Sequence, residues 1–233
     1  MSLSKLFTKH RKARRRAAAA RGFTLIEMTV VLAIIVILTG VILVSQSTFN
    51  RTLLLTDTAY TVALSVRETQ SLGLSSEKFN GVQNAGFGVH FSAGSPSTYL
   101  QFTDTSPGSP INIPAWCPTG TAGTPDAKPG NCLYDTAAEL VHTYNFNQGF
   151  TQSFCAYLNG ASVGCSNSGV TTLQSLDIVF LRPNTNTVIT GTLSIGPAIQ
   201  ADTACIAVAT PTGTYRYIKV TQLGEVSVTQ SCP

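Results

Sequence analysis

One run of this chain leaves few choices for how it folds. From Phe23 to Val44 there are 22 residues, and Glu27 is the only charged one. At ~1.5 Å rise per residue, a helix of this length is roughly 33 Å long, enough to cross the ~30 Å hydrocarbon core of a bilayer. The run is mostly Val, Ile and Leu. β-Branched residues are middling helix formers in water, but a lone segment in lipid must satisfy its own backbone groups and so becomes a helix. A carboxylate inside such a run is expensive, on the order of 2.5 to 3.5 kcal/mol at mid-helix and less near an end. Two readings of Glu27 stand. Either it lies close enough to the interface to reach headgroups, or it is kept to meet a positive partner inside the membrane or an assembly.

The residues before the run are basic. Residues 1–22 hold eight Lys and Arg and no acid, whereas the whole chain has 15 Lys and Arg against 11 Asp and Glu. Without that segment the remaining 211 residues keep seven cations and all 11 acids, a net charge of −4 in place of +4. The basic isoelectric point is therefore no argument for nucleic-acid binding. Eight positive charges ahead of the span predict an N-terminus in the cytoplasm and a C-terminal domain outside.

Gly22-Phe23-Thr24-Leu25-Ile26-Glu27, after a basic leader and before an uninterrupted apolar run, closely resembles the signature of type IV pilins and type II secretion pseudopilins. The resemblance implies cleavage by prepilin peptidase between Gly22 and Phe23, then N-methylation of the new Phe23 amino terminus. It also implies that Glu27 pairs with the Phe23 amine of a neighbouring subunit and so sets register. This motif-level match covers about residues 21–50.

Beyond the span the chain stays helical in pattern. Phe49, Leu53, Ala59, Val62, Ala63 and Val66 recur at spacings of 3 and 4, and no Pro occurs between Phe23 and Ser95. One helix is expected from Phe23 to about Leu72, ended near Gly73. Its first half lies in lipid and its second half packs on a globular domain. Gly40 permits a bend or close packing, or is tolerated without consequence. Residues 86–92 and 98–103 alternate as two strands of a hairpin, with Phe87, Val89 and Phe91 on one face and His90 on the other, facing solvent. The order of a Val66–Gln70 helix end, a Gly-Val-His-Phe strand and a Tyr-Leu-Gln-Phe strand is similar to the start of the β-domain in GspH/FimT-type minor pseudopilins. Further strands are expected at Leu140–Phe146, on either side of an Asn159-Gly160 turn, at Leu176–Leu181, at 185–194 and in a meander over 203–230.

Cys117, Cys132, Cys155, Cys165, Cys205 and Cys232 all follow the helix. An even number in an extracytoplasmic domain suggests disulfides. Sequential pairing is expected: Cys117–Cys132 closes a Pro/Gly loop, Cys155–Cys165 a hairpin, and Cys205 takes Cys232. Zinc is the alternative, but no CxxC pair occurs and His90 and His142 are remote. Residues 105–136 are rich in Pro, Gly, Thr, Ser and Asn, so they read as a long surface loop, with Trp116 as its anchor.

No recognisable active-site motif is present. Ser75-Ser76-Glu77-Lys78 fits S-x-x-K without its partner motifs, Gly86-x-Gly88 lacks a third glycine, and Asn50-Arg51-Thr52 is a sequon inside the helix. Asp104, Asp126, Asp135 and Asp177 read as scattered turn or strand-end residues. The resulting expectation is an α+β chain, pilin-like, with a long N-terminal helix packed on a C-terminal antiparallel β-sheet domain. Residues 1–22 are a cleaved leader, 23–73 a long helix with 23–44 transmembrane, and 74–233 a disulfide-containing extracytoplasmic domain. The function implied is a non-enzymatic filament subunit anchored once in the bacterial cytoplasmic membrane, with prepilin peptidase and other pilin subunits as partners. No cofactor, metal or small-molecule substrate is implied. The alternative is a minor pilin whose β-domain is a binding, adhesion or DNA-uptake module. The acidic mature chain disfavours nucleic acid. An anchored extracytoplasmic enzyme is the third possibility.

Overall fold

The computed structural model describes residues 22–75, 78–108, 111–119, 127–146, 150–167, 172–183 and 185–232, without the side chains of residues 44, 45, 47 and 48. The expected leader, apart from Gly22, and Asp126 lie outside them. Helix α1 runs Leu25–Leu74, and the chain divides inside it into two compact units, Met1–Ser47 and Thr48–Pro233. Each is taken by itself.

In the first unit, Leu25–Leu43 is a helix of 19 residues with mean hydropathy 2.7, none of it buried. Thr29 and Thr39 are polar residues in this stretch. Each returns its hydroxyl to a carbonyl one turn back, Thr29 to Ile26 at 2.9 Å and Thr39 to Ile35. This removes an unmet donor from an otherwise apolar surface.

In the second unit, the rest of α1 buries Leu55, Ala59, Val62, Val66, Thr69 and Gly73. The steps between them alternate 4 and 3, one continuous helical face. Phe49 and Leu53 were expected on that face, but they are 62% and 52% exposed. Their i, i+4 spacing is helical, but it marks the opposite side. The helix ends at Leu74, one residue past Gly73, near the expected end. A Cβ at Gly73 would lie 2.5 Å from the Phe180 carbonyl oxygen, so glycine is what lets the last turn touch the sheet backbone.

Eleven strands follow: β1 Gly86–Ser92, β2 Thr98–Asp104, β3 Leu140–Asn145, β4 Thr151–Leu158, β5 Ala161–Cys165, β6 Leu173–Phe180, β7 Thr187–Leu193, β8 Ile199–Ala201, β9 Thr203–Ala209, β10 Tyr215–Thr221 and β11 Val226–Thr229. They form two antiparallel sheets, ordered β3-β2-β1-β6-β7-β8 and β11-β10-β9-β4-β5. The fold class is α+β. The β4–β5 turn is Asn159-Gly160 with φ of 52° and 79°, the left-handed pair that a tight hairpin needs. The main core joins α1 (Leu55, Val62, Val66) to the first sheet (Val89, Phe91, Ile178, Phe180) and the second (Phe154, Ile206, Ile218). Polar contacts lock the helix over it. Ser65 bonds the Tyr99 hydroxyl at 2.9 Å, and the Arg67 guanidinium donates to the Val226 carbonyl at 2.7 Å.

The polar stretch 105–136 is only in part the expected surface loop. Among its described residues, 111–113, 115, 118 and 119 are exposed, whereas Cys117 and Cys132 pack on the first sheet and join Phe102, Val179 and Leu181 in a second core with Tyr134 and Val188 against it. Gly130, Asn131, Cys132 and Leu133 are buried. Disulfides join Cys117 to Cys132, Cys155 to Cys165 and Cys205 to Cys232, with Cα separations of 5.8, 4.0 and 6.2 Å.

Candidate functional site

The N-terminal motif is built around a helix start. The Thr24 carbonyl accepts the Met28 N–H at 3.2 Å, and its Oγ1 accepts the Glu27 N–H at 3.3 Å. Thr24 is therefore the N-cap, and Glu27 is the third residue of the helix, where a carboxylate is favoured by the helix dipole. The one acid of the apolar run thus sits where the unpaired amides of the first turn offset part of its cost. Phe23 lies just outside the helix and is 73% exposed. Gly22 has open space around its Cα, with nothing within 4 Å of an added Cβ. Gly22 and Phe23 thus lie exposed just before the helix start, with Glu27 exposed in its first turn.

Residues 18–43 match the family described as the prokaryotic N-terminal methylation motif. The motif is of pilin and pseudopilin type and indicates a precursor processed by prepilin peptidase. Gly22, Phe23 and Glu27 all fall within the matched residues. No curated protein and no solved structure matches the chain.

A second constellation lies in the β-domain, and sequence reasoning missed it. Glu139 is 1% exposed and ends a 3-10 turn at Ala137–Glu139. Its Oε1 accepts the N–H groups of Thr105 and Ser106 at 2.9 and 2.8 Å, and its Oε2 those of Asp135 and Thr136 at 2.9 and 3.4 Å. Asp104, at the end of β2, is 1% exposed. It accepts the Asn131 and Cys132 N–H groups, one on each oxygen, both at 2.8 Å. Asp177 lies inside β6 and accepts the Tyr134 N–H at 3.3 Å and a bond from His90 Nδ1 at 2.8 Å. Asp104 and Asp177 are therefore not scattered, and Glu139 joins them. These three collect main-chain donors of a segment that has no strand partner, while the Asp135 carboxylate accepts the Asn131 side-chain amide at 2.8 Å. A carboxylate amid the apolar residues 176–181 was the available signal, because a buried charge requires partners.

His90 corrects the solvent-facing expectation, because its side chain is only 12% exposed. Desolvation lowers its pKa, but the charge and hydrogen bond of Asp177 together outweigh this and hold it above the ordinary value. The Tyr134 ring tilts against it, with centroids 4.9 Å apart. His142 is exposed on β3 and meets Tyr144 edge-on. The ligand atoms of Asp104, Cys117 and Cys132 lie within 4.8 Å of one another. Both sulfurs are held in the disulfide, so no thiolate is available to a metal there. The chemistry of this cluster is acceptance of backbone hydrogen bonds.

Proposed function

We propose that this chain is a structural subunit of a type IV pilus-like or type II secretion pseudopilus filament, of the GspH/FimT-like minor kind, and not an enzyme. One observation carries the reading. The matched methylation motif falls on a predominantly apolar helical span of 19 residues, none of it buried, that begins after a capping Thr24 with Glu27 in its first turn. Prepilin peptidase cuts between Gly22 and Phe23 on the cytoplasmic side, where the eight leader cations hold the N-terminus. The helix waits in the cytoplasmic membrane with residues 74–233 outside. A Phe23 amine and a Glu27 carboxylate are each costly in lipid, and pairing between neighbouring helices relieves both. The exposed apolar residues then become the interior of the filament.

The test is expression in a host with its own prepilin peptidase. The mature protein is expected to start at an N-methylated Phe23 by mass spectrometry. Gly22→Ala is expected to leave residues 1–22 attached, and Glu27→Ala to permit cleavage but lose filament incorporation. A wild-type protein that keeps Met1 and never enters a membrane or filament fraction contradicts the reading. The second reading, a binding module displayed by the β-domain, is favoured by a polar cavity beside Trp116.

A further inference from the structure

A cavity of about 190 Å³ opens where the 105–136 segment meets β7 and β8. It is lined by Trp116 and Lys128 from that segment, Arg182 and Asn186 from the β6–β7 connection, Gln200 from β8 and Gln222 from the end of β10. The chain that follows residue 22 is net acidic, with seven cations against 11 acids. Two of those seven converge on this one cavity, and among the described residues no carboxylate lines it.

The lining is also organised. The Trp116 indole N–H donates to Thr190 Oγ1 at 3.1 Å, which fixes the ring over β7. The Arg182 guanidinium donates to Asn84 Oδ1, so its head is positioned rather than free to wander. The Cys117–Cys132 disulfide closes the loop that carries Lys128, and Trp116 stands immediately before its first cysteine. Asn186, Gln200 and Gln222 bring three carboxamides, each able to donate and to accept.

We propose that this cavity binds an anionic, hydroxyl-rich ligand of single-sugar size, such as a carboxylated or phosphorylated sugar unit. Lys128 and Arg182 take the anionic group. The carboxamides meet the hydroxyls, and the Trp116 face covers the apolar side of the ring. The size agrees. At about 190 Å³ the cavity is below the ~300 Å³ at which drug-sized pockets begin. The site lies wholly within Thr48–Pro233 and does not depend on the filament reading.

Trp116 is the only tryptophan in the chain, so its fluorescence reports on this site. The experiment titrates the mature full-length chain in detergent with glucuronic acid, glucose 6-phosphate, glucose and inorganic phosphate. Saturable changes with the two anionic sugars are expected, and whichever binds more tightly identifies the source of the charge. Lys128→Gln is expected to weaken binding roughly tenfold, the loss of one charge-assisted bond. Asn186→Ala alters an exposed residue and so provides a second variant should Lys128→Gln disturb the loop. Glucose binding as tightly as its anionic relatives overturns the proposal. So does phosphate alone matching the sugars, binding unchanged in both variants, or no saturable change at all.

Discussion

Glu139 shows how much one side chain can organise. Four main-chain N–H groups end on its two oxygens, and its carboxylate is almost wholly removed from water. Glu139→Gln keeps the shape but turns one acceptor into a donor that faces two N–H groups. Each buried donor left unmet costs about 1–3 kcal/mol, so a loss on the order of 3 kcal/mol is expected in urea denaturation. A loss below about 1 kcal/mol would mean that water reaches these amides. Half of this role is local: Thr136-Ala-Ala-Glu139 is a capping-box pattern, and Glu139 accepts the Asp135 and Thr136 N–H groups beside it. The other half is not legible locally, because Thr105 and Ser106 lie over 30 residues away.

Titration follows from the same cluster. Desolvation lifts the Asp104 carboxyl from 3.8 to about 8, against the N–H bonds of Cys132 and Asn131, with the charges of Glu139 and Asp135 adding to the rise. His90 is also raised: desolvation pulls it down, and Asp177 more than restores it. Both groups hold a proton more tightly folded than unfolded. The stability each contributes is therefore complete below its unfolded value and lost as pH rises through its folded one. For Asp104 the window runs from 3.8 to about 8, and for His90 it opens at 6.5. The thermal midpoint of the mature chain is expected to fall between pH 6 and pH 9. His90→Gln keeps a donor for Asp177 without titrating, so it is expected to flatten the part of that fall which begins at 6.5. A midpoint that stays level or rises over this range contradicts both assignments.

Elements were legible wherever apolar periodicity carried them. The β1–β2 hairpin, the Asn159-Gly160 turn and the Tyr215–Thr221 strand follow from alternation and turn chemistry, and each is present. The three residues of β8 are too short to show a period. The 105–136 segment was illegible for another reason. It packs through distant carboxylates that receive its amides and through a disulfide, and no periodicity records either. Gly73 makes the same point within α1. By helix propensity alone, Gly73→Ala gains about 1 kcal/mol. In the structure the new methyl would sit 2.5 Å from the Phe180 carbonyl oxygen and 2.8 Å from its Cβ. Overpacking against backbone costs about 1–3 kcal/mol, so net destabilisation is expected. Gly40→Ala is the control, since nothing lies within 4 Å of that position. Should both variants be equally stable by thermal unfolding, the contact between the last helical turn and β6 is looser than described.

At the scale of the whole chain, the two units have opposite physical needs. Every buried apolar residue among those described lies at Leu55 or later, while Leu25–Leu43 has none. The first unit is stable only where its surface meets lipid or other apolar helices, whereas the second carries its own core and three disulfides. A chain that starts at Thr48 is therefore expected to fold without detergent. Losing the preceding turns frays the new helix end, but Leu55 lies seven residues in, about two turns, and its burial with Ala59, Val62 and Val66 holds the rest in place. The expected loss is about 1 kcal/mol, the scale of a missing helix cap, or roughly 2–4 °C in the thermal midpoint for a domain of this size. Circular dichroism and thermal unfolding of the truncated chain, compared with the mature chain in detergent, check this. A truncated protein that aggregates, or one whose midpoint drops by 15 °C or more, would mean that the lipid-facing turns support the β-domain.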